Sequence, residues 1–116
     1  IFGYPLRSPY VAAKWGVIGL TKSWAMELGE FGVRVNAICP GSVSGPRMDG
    51  VIEREAKAVG KTPEEIRTGY EKQVSLQTFV EASDIAASCV FLSSPAARYI
   101  SGQVLPVDGN IETMRA

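Results

Sequence analysis

A chain of 116 residues makes one small domain at most, and 46% apolar with 21% charged residues is ordinary globular composition, which sets disorder aside. Twelve basic and twelve acidic residues cancel, so no chain-wide field draws the protein to nucleic acid or an anionic membrane, and with no histidine there is no histidine triad. Cys39 and Cys89 lack a Cys-x-x-Cys spacing, so no zinc set is expected and both read as small buried apolar residues of a reducing compartment. No apolar run reaches the roughly 18 residues of a membrane span and no leader opens the chain, so a cytoplasmic location is expected.

The opening Ile1-Phe2-Gly3-Tyr4-Pro5 holds no Met and starts neither helix nor strand, so it reads as the interior of something longer. Ser8 and Pro9 suit a cap and a first turn, and Ala13, Val17, Leu20, Trp24, Leu28 and Phe31 recur at steps of three and four, predicting one helix over 9–31. A second apolar face, Val11, Trp15, Ile18, Ala25 and Met26, lies well round the wheel. The helix therefore has two partners to find, its own core and another helix or subunit. Gly16 and Gly19 would each weaken a free helix by about 1 kcal/mol relative to Ala, which points to close packing there.

Gly32 is the helix stop, and Val33-Arg34-Val35-Asn36-Ala37-Ile38 predicts a strand ended by Pro40-Gly41. Proline, glycine and serine crowd 39–50, a loop; ligands of open α/β sheets collect beyond strand carboxyl ends, so it is a binding loop or a plain connection. A charged helix follows over 51–59, stopped by Gly60, and Thr62-Pro63-Glu64-Glu65 spells a capping box. The next helix has only Ile66, Tyr70 and Val74 on its apolar side, so the pair within 46–80 is a lid or a solvated insertion. From Ala82 a stronger helix turns Ile85, Ala86, Cys89, Val90 and Leu92 inward and ends before Ser93-Ser94-Pro95. Ser101-Gly102 turns, 103–107 reads as a strand, and Asp108-Gly109-Asn110 turns again. This alternation is α/β with parallel strands.

Tyr10 and Lys14 carry the chemistry. At i and i+4 they share a helix face. A phenol with a free pKa near 10 is a poor proton shuttle at neutral pH, and bringing it to about 7 takes roughly 4 kcal/mol of differential stabilisation. The Lys14 charge supplies part of that and can also donate to hydroxyls of a ligand. The bland alternative is a surface tyrosine and lysine that fall four apart by chance.

The ordered set Tyr10-x-x-x-Lys14, Gly19-Leu20-Thr21-Lys22, Glu27-Leu28, Val33-Arg34-Val35-Asn36-Ala37-Ile38 with Pro40-Gly41, Asp84-Ile85-Ala86, Phe91-Leu92, Ser101-Gly102-Gln103 and Val107-Asp108-Gly109 resembles the C-terminal half of a short-chain dehydrogenase/reductase. The resemblance implies an incomplete Rossmann-like doubly wound parallel sheet, the whole of 1–116 being one partial domain. It implies an oxidoreductase moving hydride between NAD or NADP and a small carbonyl or alcohol, 3-oxoacyl thioesters included. Tyr10 would be the general acid/base, and Lys14 would hold the nicotinamide ribose and lower the Tyr10 pKa. Pro40, Gly41 and Val43 would line the nicotinamide, the Val43 backbone meeting its carboxamide. Relatives often carry Thr where Gly45 stands, and Ser42 or Ser44 is expected to compensate. Much of the substrate pocket would lie within 48–80, and a homo-oligomer would form through helix 9–31 and the last strand. The family's glycine-rich turn, catalytic Asn and catalytic Ser have no counterpart, since nine residues precede Tyr10. The alternative is therefore a non-catalytic fragment or association module without the cofactor-binding half.

Overall fold

A computed structural model of the chain describes residues 6–111; the opening pentapeptide lies outside them. They fall into two compact units, 6–39 with Cys89–Leu105, and Pro40–Ser88 with 106–111.

In the first unit, Pro9 sits in the first turn of α1 (Ser8–Leu28), where a missing N–H breaks no bond. Ser8 is not the cap. It is already helical, and Arg7 takes the cap position without a side-chain cap bond, its carbonyl accepting from the Val11 N–H at 2.9 Å. The helix also ends before Phe31. Gly29–Phe31 tightens into a 3₁₀ turn, and the left-handed Gly32 closes it by donating its N–H to the Gly29 carbonyl at 3.0 Å.

Neither apolar face of α1 is fully covered, and the best-buried strip runs along Thr21. Thr21 is buried with its hydroxyl donating to the Val17 carbonyl at 2.8 Å, and Val11, Ile18, Ala25 and Leu28 around it are half-buried. Val17, Leu20, Trp24 and Phe31 of the first stripe are exposed, as are Trp15 and Met26. Within the described residues neither Gly16 nor Gly19 packs closely, no atom lying within 4 Å of a Cβ built on either.

The expected strand 33–38 is displaced toward the C-terminus: β1 is Ala37–Pro40, paired with β2 (Val104–Val107). Residues 34–36 meet the turn before β2 mainly through side chains instead of a ladder. Arg34 and the Asn36 amide both donate to the Ile100 carbonyl, the Val35 N–H donates to Ser101 Oγ, and the Gln103 N–H donates to Asn36 Oδ1. One backbone bond precedes the strand, Gly102 N–H to Val35 C=O at 2.7 Å, and the strand pairing itself starts at Ala37 N–H to Gln103 C=O, 2.9 Å. The Gly41 N–H then meets the Val107 carbonyl at 3.0 Å. Both strands advance together between those two bonds, so the pair is parallel.

In the second unit, α2 (Pro46–Val59) begins at Pro46, so the expected loop is shorter than 39–50; a proline in the first turn starts the helix that was expected at 51. Gly60, left-handed, stops it with its N–H on the Ala56 carbonyl. The capping box forms as expected at the head of α3 (Pro63–Lys72), Thr62 and Glu65 each accepting from the other's backbone. Ile66 and Val74 are buried as the single stripe required. What periodicity did not show is that Ile52 and Ala56 of α2 join Ile66 and Phe79 in a buried cluster, with Met48 and Tyr70 against it. The pair thus has a small core of its own. Arg67 bonds Asp49 at 2.7 Å and lies 4.8 Å over the Phe79 ring, and the Tyr70 hydroxyl donates to Glu55 at 2.7 Å.

Helix α4 (Ala82–Ser93) lies where expected, but only Leu92 of its apolar residues is buried and Ile85 half-buried. Ala86, Cys89 and Val90 are exposed, Cys89 at the lining of an open groove. Neither thiol is buried: Cys39 is half-buried and Cys89 exposed, both free. Among the described residues no helix is long and apolar enough to cross a membrane, and no acidic or thiol group clusters as a metal site.

Candidate functional site

The first turns of α1 bring Tyr10 and Lys14 together. The Lys14 ammonium lies 5.3 Å from the centroid of the Tyr10 ring, within the range of cation–π attraction. The contact is with the ring and not the hydroxyl. Tyr10 is 51% exposed and Lys14 is exposed, and no hydrogen bond within the described residues occupies the phenol or the ammonium. The helix therefore presents a donor-acceptor hydroxyl and three ammonium donors side by side to a ligand.

The loop after β1 is held at two points within the second unit. At Gly41 a Cβ would stand 2.7 Å from Asp108 Cβ and 2.8 Å from Asp108 Cα, so the two backbones touch where a side chain would be. At Val43 the loop pairs with Val80 in a parallel bridge, the Ser44 N–H donating to Val80 C=O at 2.8 Å and the Val80 N–H to Ser42 C=O at 3.0 Å. In a strand the N–H and C=O of one residue point to the same side and those of its neighbours to the other. The Val43 N–H and C=O are accordingly turned away from Val80, and within the described residues neither is bonded. A donor and an acceptor paired on one half-buried residue match a primary carboxamide, the group that a nicotinamide would offer.

Gly45, at φ 144° and ψ 178°, occupies backbone space that only glycine reaches without strain, so a Thr would not fit this path. The hydroxyls of Ser42 and Ser44 make no hydrogen bond within the described residues. Two parts of this arrangement had no assignment from sequence: Val80, which orients Val43, and Asp108, which packs on Gly41. Each acts across more than thirty residues, and the only local sign of either was a short apolar pair, Phe79-Val80, and the Val107-Asp108-Gly109 motif. A groove of roughly 450 Å³ in the first unit, lined by Arg34, Asn36, Ile38, Cys89 and Leu92 among others, contains none of the expected site residues. Its Arg34 and Asn36 are already bonded to the Ile100 carbonyl, so it is a poor candidate for the chemistry.

A family model described as enoyl-(acyl carrier protein) reductase matches residues 2–111. The chain is 35% identical over 111 residues to the 3-oxoacyl-[acyl-carrier-protein] reductase FabG of Thermotoga maritima, covering 96% of this chain and 41% of that protein. It is 43% identical over 105 residues to the D-beta-hydroxybutyrate dehydrogenase of Cupriavidus necator, covering 89% and 40%. Among solved structures, the F189W variant of actinorhodin polyketide ketoreductase with NADPH superimposes with a TM-score of 0.84 at 33% identity, covering 93% of this chain and 41% of that one. The chain belongs to the short-chain dehydrogenase/reductase family, and its α/β architecture is part of that family's Rossmann fold. It spans about two fifths of the length of the curated relatives it matches.

Proposed function

We propose that this chain supplies the proton-transfer pair and the nicotinamide-facing loop of an NAD(P)-dependent oxidoreductase acting on a small carbonyl or alcohol. The observation that carries the reading is the pairing of Tyr10 with Lys14, both polar ends open to a ligand, in a chain of this family. A bound nicotinamide supplies or takes up the hydride. Tyr10 Oη gives its proton to the substrate oxygen in the reducing direction and takes one in the other. Lys14 donates to ribose hydroxyls and keeps its positive charge beside the phenol. Pro40 and Gly41 line the ring, and Val43 meets the carboxamide through its open N–H and C=O. Two of the relatives named above are by name a 3-oxoacyl reductase and a beta-hydroxybutyrate dehydrogenase, so a 3-oxo or 3-hydroxy acyl substrate is the class to test first. By the family resemblance that substrate is held within 48–80.

In the protein that carries this chain, Tyr10→Phe should lower turnover by about 10²–10⁴-fold, the usual share of a positioned acid/base, with an unchanged circular dichroism spectrum. Unchanged turnover would remove Tyr10 from the role. A second reading, an association module without catalysis, is favoured by the exposed apolar stripe Val17, Leu20 and Trp24 and by the exposed Val90 and Phe91. Calorimetry on the protein that carries this chain separates the two: it binds NAD(H) or NADP(H) under the first reading and neither under the second.

A further inference from the structure

We propose that the turn Asp108-Gly109-Asn110 is a positioning device that sets the loop carrying Val43 and the end of the α2–α3 pair relative to each other, with Asn110 its substrate-side contact. The inference rests on the oxidoreductase reading above and adds to it a residue that neither touches cofactor nor transfers a proton.

On one side the turn meets the loop. The Asp108 backbone packs on Gly41 so closely that a Cβ there would lie 2.8 Å from Asp108 Cα, and the Gly41 N–H is bonded to Val107 at 3.0 Å. On its other side the turn meets the exit of α3. The Ser75 N–H donates to the Asn110 carbonyl at 2.9 Å, the Leu76 N–H to the Gly109 carbonyl at 3.1 Å, and Val74 bridges Ile111 antiparallel. A Cβ on Gly109 would stand 2.7 Å from Val74 Cγ1, and Val74 is buried. The turn has little freedom of its own: Gly109 and Asn110 are both left-handed, and the Asn110 N–H is tied to Asp108 Oδ1 at 2.8 Å. Asn110 then reaches back with Nδ2 to Ser75 Oγ at 2.7 Å.

Three consecutive residues thus touch, through backbone, both the loop that would meet the carboxamide and the segment that ends the helical pair. A rigid spacer in that place makes the placement of the substrate side depend on Asn110 while leaving proton transfer to Tyr10. A turn that served only stability would not separate those quantities.

The test uses the protein that carries this chain, with ethyl acetoacetate as the carbonyl probe and whichever of NADH and NADPH binds. Gly109→Ala is unsuitable alone because its methyl would collide with Val74. Asn110→Gly keeps the left-handed backbone and removes only the amide, and Asn110→Asp keeps an acceptor for the Ser75 hydroxyl. Expected for Asn110→Gly is a KM for the probe raised about fivefold, the effect of one lost hydrogen bond, with kcat and cofactor Kd unchanged. Amide exchange at Ser75 and Leu76 should quicken in the same variant, and Asn110→Asp should return both values. Faster exchange with an unchanged KM overturns the proposal and leaves a structural turn; so does a KM rise matched by an equal rise in cofactor Kd. If the unsubstituted protein binds neither cofactor, the oxidoreductase reading has failed before any variant is compared, and this inference falls with it.

Discussion

Glycine to alanine is one substitution with opposite consequences at different places in this chain. At Gly41 the added methyl meets Asp108 Cα and Cβ at 2.8 and 2.7 Å, and backbone cannot rotate away. Gly41→Ala should destabilise by about 1–3 kcal/mol, as overpacking does, and weaken nicotinamide binding by moving Val43. A urea midpoint and a calorimetric Kd that both match the parent would show the contact to be soft. Gly16 and Gly19 are mid-helix with nothing within 4 Å, so alanine at either should stabilise the 116-residue chain by about 1 kcal/mol through helix propensity. Their presence in the sequence suggested crowding, and the residues themselves carry no sign of whether the space is filled. Tyr10 and Lys14 differ: four residues on a helix define their neighbourhood, and the 5.3 Å approach follows from that spacing. The finer point, that the ammonium rests on the ring and not on the hydroxyl, is a matter of side-chain rotamers.

Among the elements, the helix signals that worked are those that close on themselves within a turn. Thr62 and Glu65 form their box and Gly32 and Gly60 end their helices because every partner lies within about five residues. Thr62→Ala should therefore cost about 1 kcal/mol and loosen only α3, seen as faster amide exchange in its first turn. Ile66→Ala, by contrast, opens a hole in the cluster with Ile52, Ala56 and Phe79, and should cost about 2–5 kcal/mol and destabilise α2 with α3 together. Equal effects of the two substitutions would mean that the cluster contributes little. Strand limits were less legible. Residues 33–36 have strand composition, yet Arg34, Val35 and Asn36 meet 100–103 mostly through side chains, with one backbone bond from Gly102 to Val35, and that partner lies more than sixty residues away.

For the molecule as a whole, the open apolar residues are the dominant physical fact. Val17, Leu20 and Trp24 are exposed along one stripe of α1, Phe31 just beyond its end, and Val90 and Phe91 on α4. Soluble monomers seldom leave contiguous apolar surface of more than a few hundred Å² uncovered. The 116-residue chain by itself should therefore associate or bind 1-anilinonaphthalene-8-sulfonate strongly. Light scattering that reports a monodisperse monomer of 12.5 kDa without dye binding would contradict this. The α/β class, the order of elements and the approach of Lys14 to Tyr10 were readable from periodicity, caps and short spacings that act along the chain, and the family from its ordered motifs. The open N–H and C=O of Val43, the pressure of Asp108 on Gly41 and the tie from Asn110 to Ser75 were not. Each is set by a partner thirty or more residues away, and nothing in local composition encodes which distant backbone a loop will meet.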